Sequence, residues 1–109
     1  MQHKITLPQL KKYDITQKVI EALADTESRA IIFSTMRKGK TASNLSTSLK
    51  IPLSSVYKKL SDLENLTLIR IEKTILSENG KRFKVYRSRI NKAEISIKKP
   101  EPTLTLSAN

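Results

Sequence analysis

Only three residues, Lys50-Ile51-Pro52, separate two stretches whose apolar residues recur at helical spacing. In "TASNLSTSLK" Ala42, Leu45 and Leu49 share a face, and in "LSSVYKKLSDLENL" Leu53, Val56, Leu60 and Leu63 do. Thr41 is placed to cap the first stretch, and Pro52 suits a helix start, where its missing N–H costs nothing. Two helices joined this tightly meet at a sharp angle, which is the helix-turn-helix arrangement. The first of them is weakly helical by propensity, so packing must hold it.

The flanking sequence extends the pattern. Upstream, Asp14 with Gln17 reads as a capping box opening a helix with Ile15, Val19 and Leu23 on one side. In "DTESRAIIFSTMRKG", Asp25 or Thr26 caps a second helix, Glu27 suits its positive end, Ile32, Phe33 and Met36 form its stripe, and Gly39 stops it. Downstream, "LIRIEKTIL" and "RFKVYRSRI" flank Asn79-Gly80, the strongest short hairpin signal, because both central residues of a type I′ turn need positive φ. A two-residue turn sets Glu78 opposite Lys81, Glu72 opposite Arg87, Arg70 opposite Arg89 and Ile69 opposite Ile90, with Ile69, Ile71, Tyr86 and Ile90 on one face. Asn79, Gly80, Lys81 and Arg82 then form a basic tip, a wing. The expected fold is mainly α with a β-hairpin wing, a winged helix-turn-helix over residues 1–92 that includes an N-terminal helix. Residues 93–109 carry Ile95, Ile97, Leu104 and Leu106 around "KKPEP" and read as a second short hairpin or extended arm.

A chain of 109 residues, 38% hydrophobic, is one small domain with a modest core. Without cysteine it has no disulfide or thiolate metal site, and His3 is its sole histidine, so neither a metal nor another cofactor is expected. No apolar run approaches the ~20 residues of a membrane span, and the first residues lack the apolar centre of a signal peptide, so the expected location is the cytoplasm. The charge is uneven. Residues 1–36 hold five basic and four acidic side chains, and residues 37–99 hold sixteen and five, which is +1 against +11. A field concentrated in this way favours a polyanion, nucleic acid before an anionic membrane surface.

No enzyme is expected. Glu72 with Arg87 is a cross-strand surface pair more readily than a catalytic dyad, since no histidine or second carboxylate accompanies it. Ser43, Ser46 and Ser48 lack the basic partner a nucleophile needs and read as surface. The face of the fourth helix opposite its apolar stripe carries Ser54, Ser55, Lys58 and Asp62, flanked by Tyr57 and Lys59. Small hydroxyls followed by a long cation suit a helix whose first turns enter a major groove; the other reading is an ordinary solvated face. On the first reading Ser54, Ser55 and Lys58 meet base edges, and Lys40, Thr41, Tyr57, Lys59, Lys81 and Arg82 meet phosphates. Tyr57 serves equally as cover for the helix flank.

The stretches "ESRAIIFSTM", "TASNLSTSLKIPLSSVYKKLSDLENLTLIR" and "GKRFKVYRSRI", spanning roughly residues 25–92, resemble ArsR-like archaeal winged helix-turn-helix transcription regulators. The resemblance implies a double-stranded DNA-binding repressor or activator that works as a homodimer, with Leu53–Leu66 as recognition helix. Lys50 and Thr67 stand where that family usually has glycine, and the cysteine and histidine ligands of its metal sensors are absent. Ile15, Val19, Leu23, Ile95 and Ile97 are the expected subunit interface. The rival is a winged-helix module that binds a protein or structured RNA.

Overall fold

The computed structural model describes residues 7–109, with side chains from Ile15 onward. Helix α1 runs Leu7–Ala24 and α2 Thr26–Ser34. The two-residue strand β1, Lys40–Thr41, leads into α3, Ala42–Leu49, and α4, Leu53–Asn65. Four longer strands follow: β2 Ile69–Leu76, β3 Arg82–Ser88, β4 Ile90–Ser96 and β5 Thr103–Ala108. This is a winged helix-turn-helix, with α3 and α4 as the paired helices and β2–β3 as the wing.

The helix signals hold in part. The Asp14–Gln17 box does not open α1, which begins seven residues earlier, with Pro8 in its first turn. Asp25 does cap α2: the Ser28 N–H donates to Asp25 Oδ2 at 2.9 Å, and the Ser28 hydroxyl to the same oxygen at 2.8 Å. Helix α2 stops at Ser34, five residues before Gly39, where Thr35 turns back and its hydroxyl donates to the Ile31 carbonyl at 2.9 Å. Its buried stripe is Ser28, Ile31, Ile32 and Thr35, so Phe33 faces outward, 77% exposed. Leu53 is likewise off the buried face of α4. Thr41 caps α3 with a reciprocal bond to Asn44, and Pro52 is the N-cap of α4.

Both glycine-like positions adopt the backbone that glycine favours. Lys50 has φ 57° and Thr67 φ 59°. After α4 the Leu68 N–H reaches the Leu63 carbonyl and the Thr67 N–H the Glu64 carbonyl, both at 2.9 Å. That is a Schellman ending, and Leu63 and Leu68 are both buried beneath it. Gly39 has a separate task. A Cβ there would lie 2.6 Å from Val85 Cγ1 and 2.9 Å from Glu72 Oε1, so the chain before β1 passes so close to the wing that a side chain there would force Val85 or Glu72 to shift.

The wing belongs to a three-stranded antiparallel sheet in the order β1-β3-β2; the pairing of β1 with β3, Lys40↔Tyr86 and Thr41↔Val85, has no sequence signal in so short a strand. The register differs from a two-residue turn. Gly80 N–H bonds the Ser77 carbonyl and Ser77 N–H the Lys81 carbonyl, leaving Glu78, Asn79 and Gly80 as a three-residue loop with Gly80 at φ 82°. Leu76 therefore faces Arg82, and a bulge at Glu72 shifts the base so that Arg70 faces Arg87 and Ile69 faces Ser88. Ile69, Tyr86 and Ile90 are buried as expected and Ile71 packs beside them, although Ile90 already belongs to β4. Arg89 pairs with no strand residue; its N–H donates to the Leu68 carbonyl.

The core joins Ile31, Leu45, Val56, Leu60, Leu63, Leu68 and Ile69, all nearly inaccessible, with Val19 from α1. Strands β4 and β5 pair as a second hairpin beginning at Ile90, with Ile95 opposite Leu104 and Ala93 opposite Leu106. Ile97 lies beyond β4 and is 80% exposed.

Candidate functional site

Strand β1 ends at Thr41, so the outer edge of β3 from Arg82 to Lys84 has no strand beside it among the described residues. The start of α3 and the flank of α4 stand across from that edge. Between them lies a cleft of about 220 Å³, lined by Thr41, Ala42, Ser43, Tyr57, Arg82, Phe83, Lys84 and Tyr86. Three of the chain's five aromatic residues meet here, and no carboxylate among the described residues lines it. Strand alternation puts Arg82, Lys84 and Tyr86 on one face of β3. Tyr86 is buried, which pushes its phenol above the usual range, with Glu64 and Tyr57 adding to the shift.

Of the expected phosphate contacts, Thr41, Tyr57 and Arg82 converge on this cleft. Lys40 lies in a separate open hollow of about 450 Å³ with Lys38, Gly39, Asn44, Thr47 and Ser48. Lys59 is turned to another purpose: its ammonium sits 2.8 Å from Asp25 Oδ2 and 3.6 Å from Glu27 Oε1, bracing α4 on the cap of α2. The Lys59 hydrogen bond is the main reason that Asp25 is held down at about 2, and Asp25 in turn raises Lys59. Lys59 is thus a structural cation. Helical spacing alone could not separate it from Lys58, because its partner lies 34 residues away.

On the outer face of α4 Ser54 is exposed, Ser55 half-buried, and Lys58 exposed beside Asp62 at 3.2 Å. That pair is open to solvent and weak, so Lys58 can exchange Asp62 for another acceptor. At the wing tip Asn79 accepts from the Ser77 hydroxyl, while Lys81, Arg82 and Lys84 take part in no ion pair among the described residues. Lys84 and Ser43 were missed in the sequence. Alternation from Tyr86 could have found Lys84, whereas Ser43 needed the position of α3 beside β3.

The expected interface residues divide. Val19 is buried and Leu23 packs against the core, so both close the protein's own interior. Ile15, Ile95 and Ile97 are exposed. Among the described residues there is no cluster of metal-ligating side chains, and no helix is long and apolar enough to cross a membrane.

No family model and no curated protein sequence matches the chain. Its fold is similar to the crystal structure of NolR from Sinorhizobium fredii, with a TM-score of 0.61 at 16% identity over 80% of this chain and 81% of that one. At that identity the likeness is one of architecture, and the architecture shared is the winged helix-turn-helix.

Proposed function

We propose that the protein is a double-stranded DNA-binding transcription regulator of ArsR-like type, acting as a homodimer in the cytoplasm and not an enzyme. The observation that carries this reading is the convergence of Arg82 and Lys84, which form no ion pair among the described residues, with Tyr57 of α4 around one cleft that no described carboxylate lines. Helix α4 presents Ser54, Ser55 and Lys58 to the major groove, and the wing and the start of α3 hold the backbone. The net charge of +11 supplies the sequence-independent attraction.

A single small module buries only about 600–1,000 Å² on DNA, whereas a two-fold pair reads two half-sites about 34 Å apart. Ile15, the exposed face of β4–β5 with Ile95 and Leu106, and Ile97 just beyond β4 are the surfaces for that pairing.

The test is a titration of labelled duplex DNA, single-stranded DNA and A-form RNA across a salt series. Duplex binding that falls log-linearly with salt and exceeds the other two supports the proposal. No duplex binding at low salt defeats it and leaves a module for protein surfaces; preference for RNA defeats it in favour of structured RNA.

A further inference from the structure

A basic wing can grip DNA in two ways, by its tip in the minor groove or by its strand along the backbone. The tip carries no net charge. The loop of residues 77–81 holds one acid, Glu78, and one base, Lys81, and it is tied internally, with the Ser77 hydroxyl donating to Asn79 and accepting the Lys81 N–H at 3.1 Å. Arg82 and Lys84 instead share the face of β3 that carries Tyr86 and lines the cleft. Tyr57 brings a hydroxyl from α4, half-exposed at 53%, and Ser43 another from the first turn of α3. Among the described residues, every ionisable group lining the cleft except the tyrosines is a cation.

We propose that this cleft clamps one phosphodiester of the duplex, so that the wing follows the sugar–phosphate backbone along β3 and leaves its tip outside the minor groove. The inference rests on the DNA-binding reading and specifies its geometry. Lys84 and Arg82 neutralise the phosphate from the wing side. The Tyr57 and Ser43 hydroxyls donate from the helix side. Because α3, α4 and β3 all touch the same group, the contact fixes the angle at which α4 meets the groove; Lys84 is a positioning residue for recognition.

The experiment uses the full chain and a duplex selected by it from a random pool, remade as a series in which one phosphate at a time is replaced by a neutral methylphosphonate. Lys84→Gln is expected to weaken binding to the unmodified duplex about tenfold, the scale of one charge-assisted hydrogen bond, and to lower the salt slope by about one. At one position in each half-site the methylphosphonate costs about as much, and there Lys84→Gln adds nothing; at every other position the two losses multiply. Arg82→Gln and Tyr57→Phe are expected to follow the same pattern at the same position. Replacing G·C by I·C pairs, which alters only the minor-groove edge, is expected to leave affinity within about twofold. Losses that multiply at every position, or I·C pairs that change affinity more than the Lys84 variant does, would overturn the clamp while leaving duplex binding intact. If selection recovers no duplex, both the clamp and the reading beneath it fail.

Discussion

The chain builds two antiparallel hairpins of similar length, each with a bulge near its base, and they differ in what they rest on. The wing carries Ile69, Val85 and Tyr86 into buried positions, gains a third strand from β1, and is latched by Arg87, which reaches Glu72 at 2.9 Å and the Met36 carbonyl at 3.1 Å. The C-terminal hairpin is anchored by Ile90, by Leu104 against the core, and by the Asn109 amide, which donates to the Met36 and Ser88 carbonyls at 2.8 and 2.9 Å. Beyond those anchors its apolar residues are open: Ile95 is 44% and Leu106 39% exposed. A two-stranded ribbon is marginal in water unless its apolar face packs on something. The wing is therefore part of the folding unit, and the second hairpin offers a face for another surface to cover.

The largest test of that contrast is Ile69→Ala at the wing base. Ile69 is 1% exposed inside the core, so truncation is expected to cost about 2–5 kcal/mol in urea unfolding. A loss under about 1 kcal/mol would mean that the wing is not integral to the core. Gly39→Ala follows. Its new methyl would meet Val85 and Glu72, and the expected cost is about 1–3 kcal/mol from overpacking, with weakening of the Arg87–Glu72 latch. An unchanged unfolding midpoint would show that β1 can slide away from the wing freely.

Most of the fold was legible because it depends on local periodicity and breakers. The α3–α4 pair, the hairpin and the face holding Ile69, Ile71, Tyr86 and Ile90 all follow from spacing. What was not legible depends on contacts distant in sequence. Glu72 sits at a bulge where it pairs with Arg87 and lies against Gly39, and nothing near Glu72 announces this. Phe33 fits a helical stripe as well as Ile31 does, and only the position of α1 and α4 decides between them. At the site, residue type exposed the polar face of α4, but separating Lys58 from Lys59 required the cap of α2.

That cap gives the next prediction, smaller because Asp25 is partly exposed. Asp25→Ala is expected to cost about 1 kcal/mol as a lost N-cap, and Lys59→Met to remove most of the same brace. Folding holds the Asp25 carboxyl at about 2, below its ordinary 3.8, so its contribution is present above about pH 4 and fades as pH falls toward 2. Acid unfolding of Asp25→Asn followed by circular dichroism is expected to lack this component. An identical acid limb in the two proteins would remove the cap from the account.

Smaller again are the two left-handed residues. A β-branched side chain at φ 59° is more strained than an unbranched one at φ 57°, so Thr67→Gly is expected to raise stability by about 0.5–1 kcal/mol and Lys50→Gly by less. The order matters more than the sizes. A larger gain at Lys50 would imply that the hydroxyl of Thr67, which donates to the Leu66 carbonyl at 2.6 Å, repays its strain.

The smallest effect on the single chain is expected where the second hairpin is most open, and there the comparison between hairpins becomes a test of assembly. Ile95→Ser removes an apolar side chain that the chain's own core does not cover, so a dilute monomer is expected to lose no more than about 0.5 kcal/mol. If two copies cover that face, the cost instead appears in association: the wild-type unfolding midpoint rises with protein concentration, and in Ile95→Ser that dependence weakens. Light scattering at micromolar concentration reads the same step directly, with the protein ending at Lys92 as the complete removal of the exposed face. A wild type whose midpoint and mass do not change with concentration would refute the homodimer. A concentration dependence equal in wild type and Ile95→Ser would keep the dimer and move its interface to α1, where Ile15 is the exposed apolar residue. The wing provides the control, because Ile75→Ser, also 44% exposed but on the hairpin proposed to face DNA, is expected to leave association untouched.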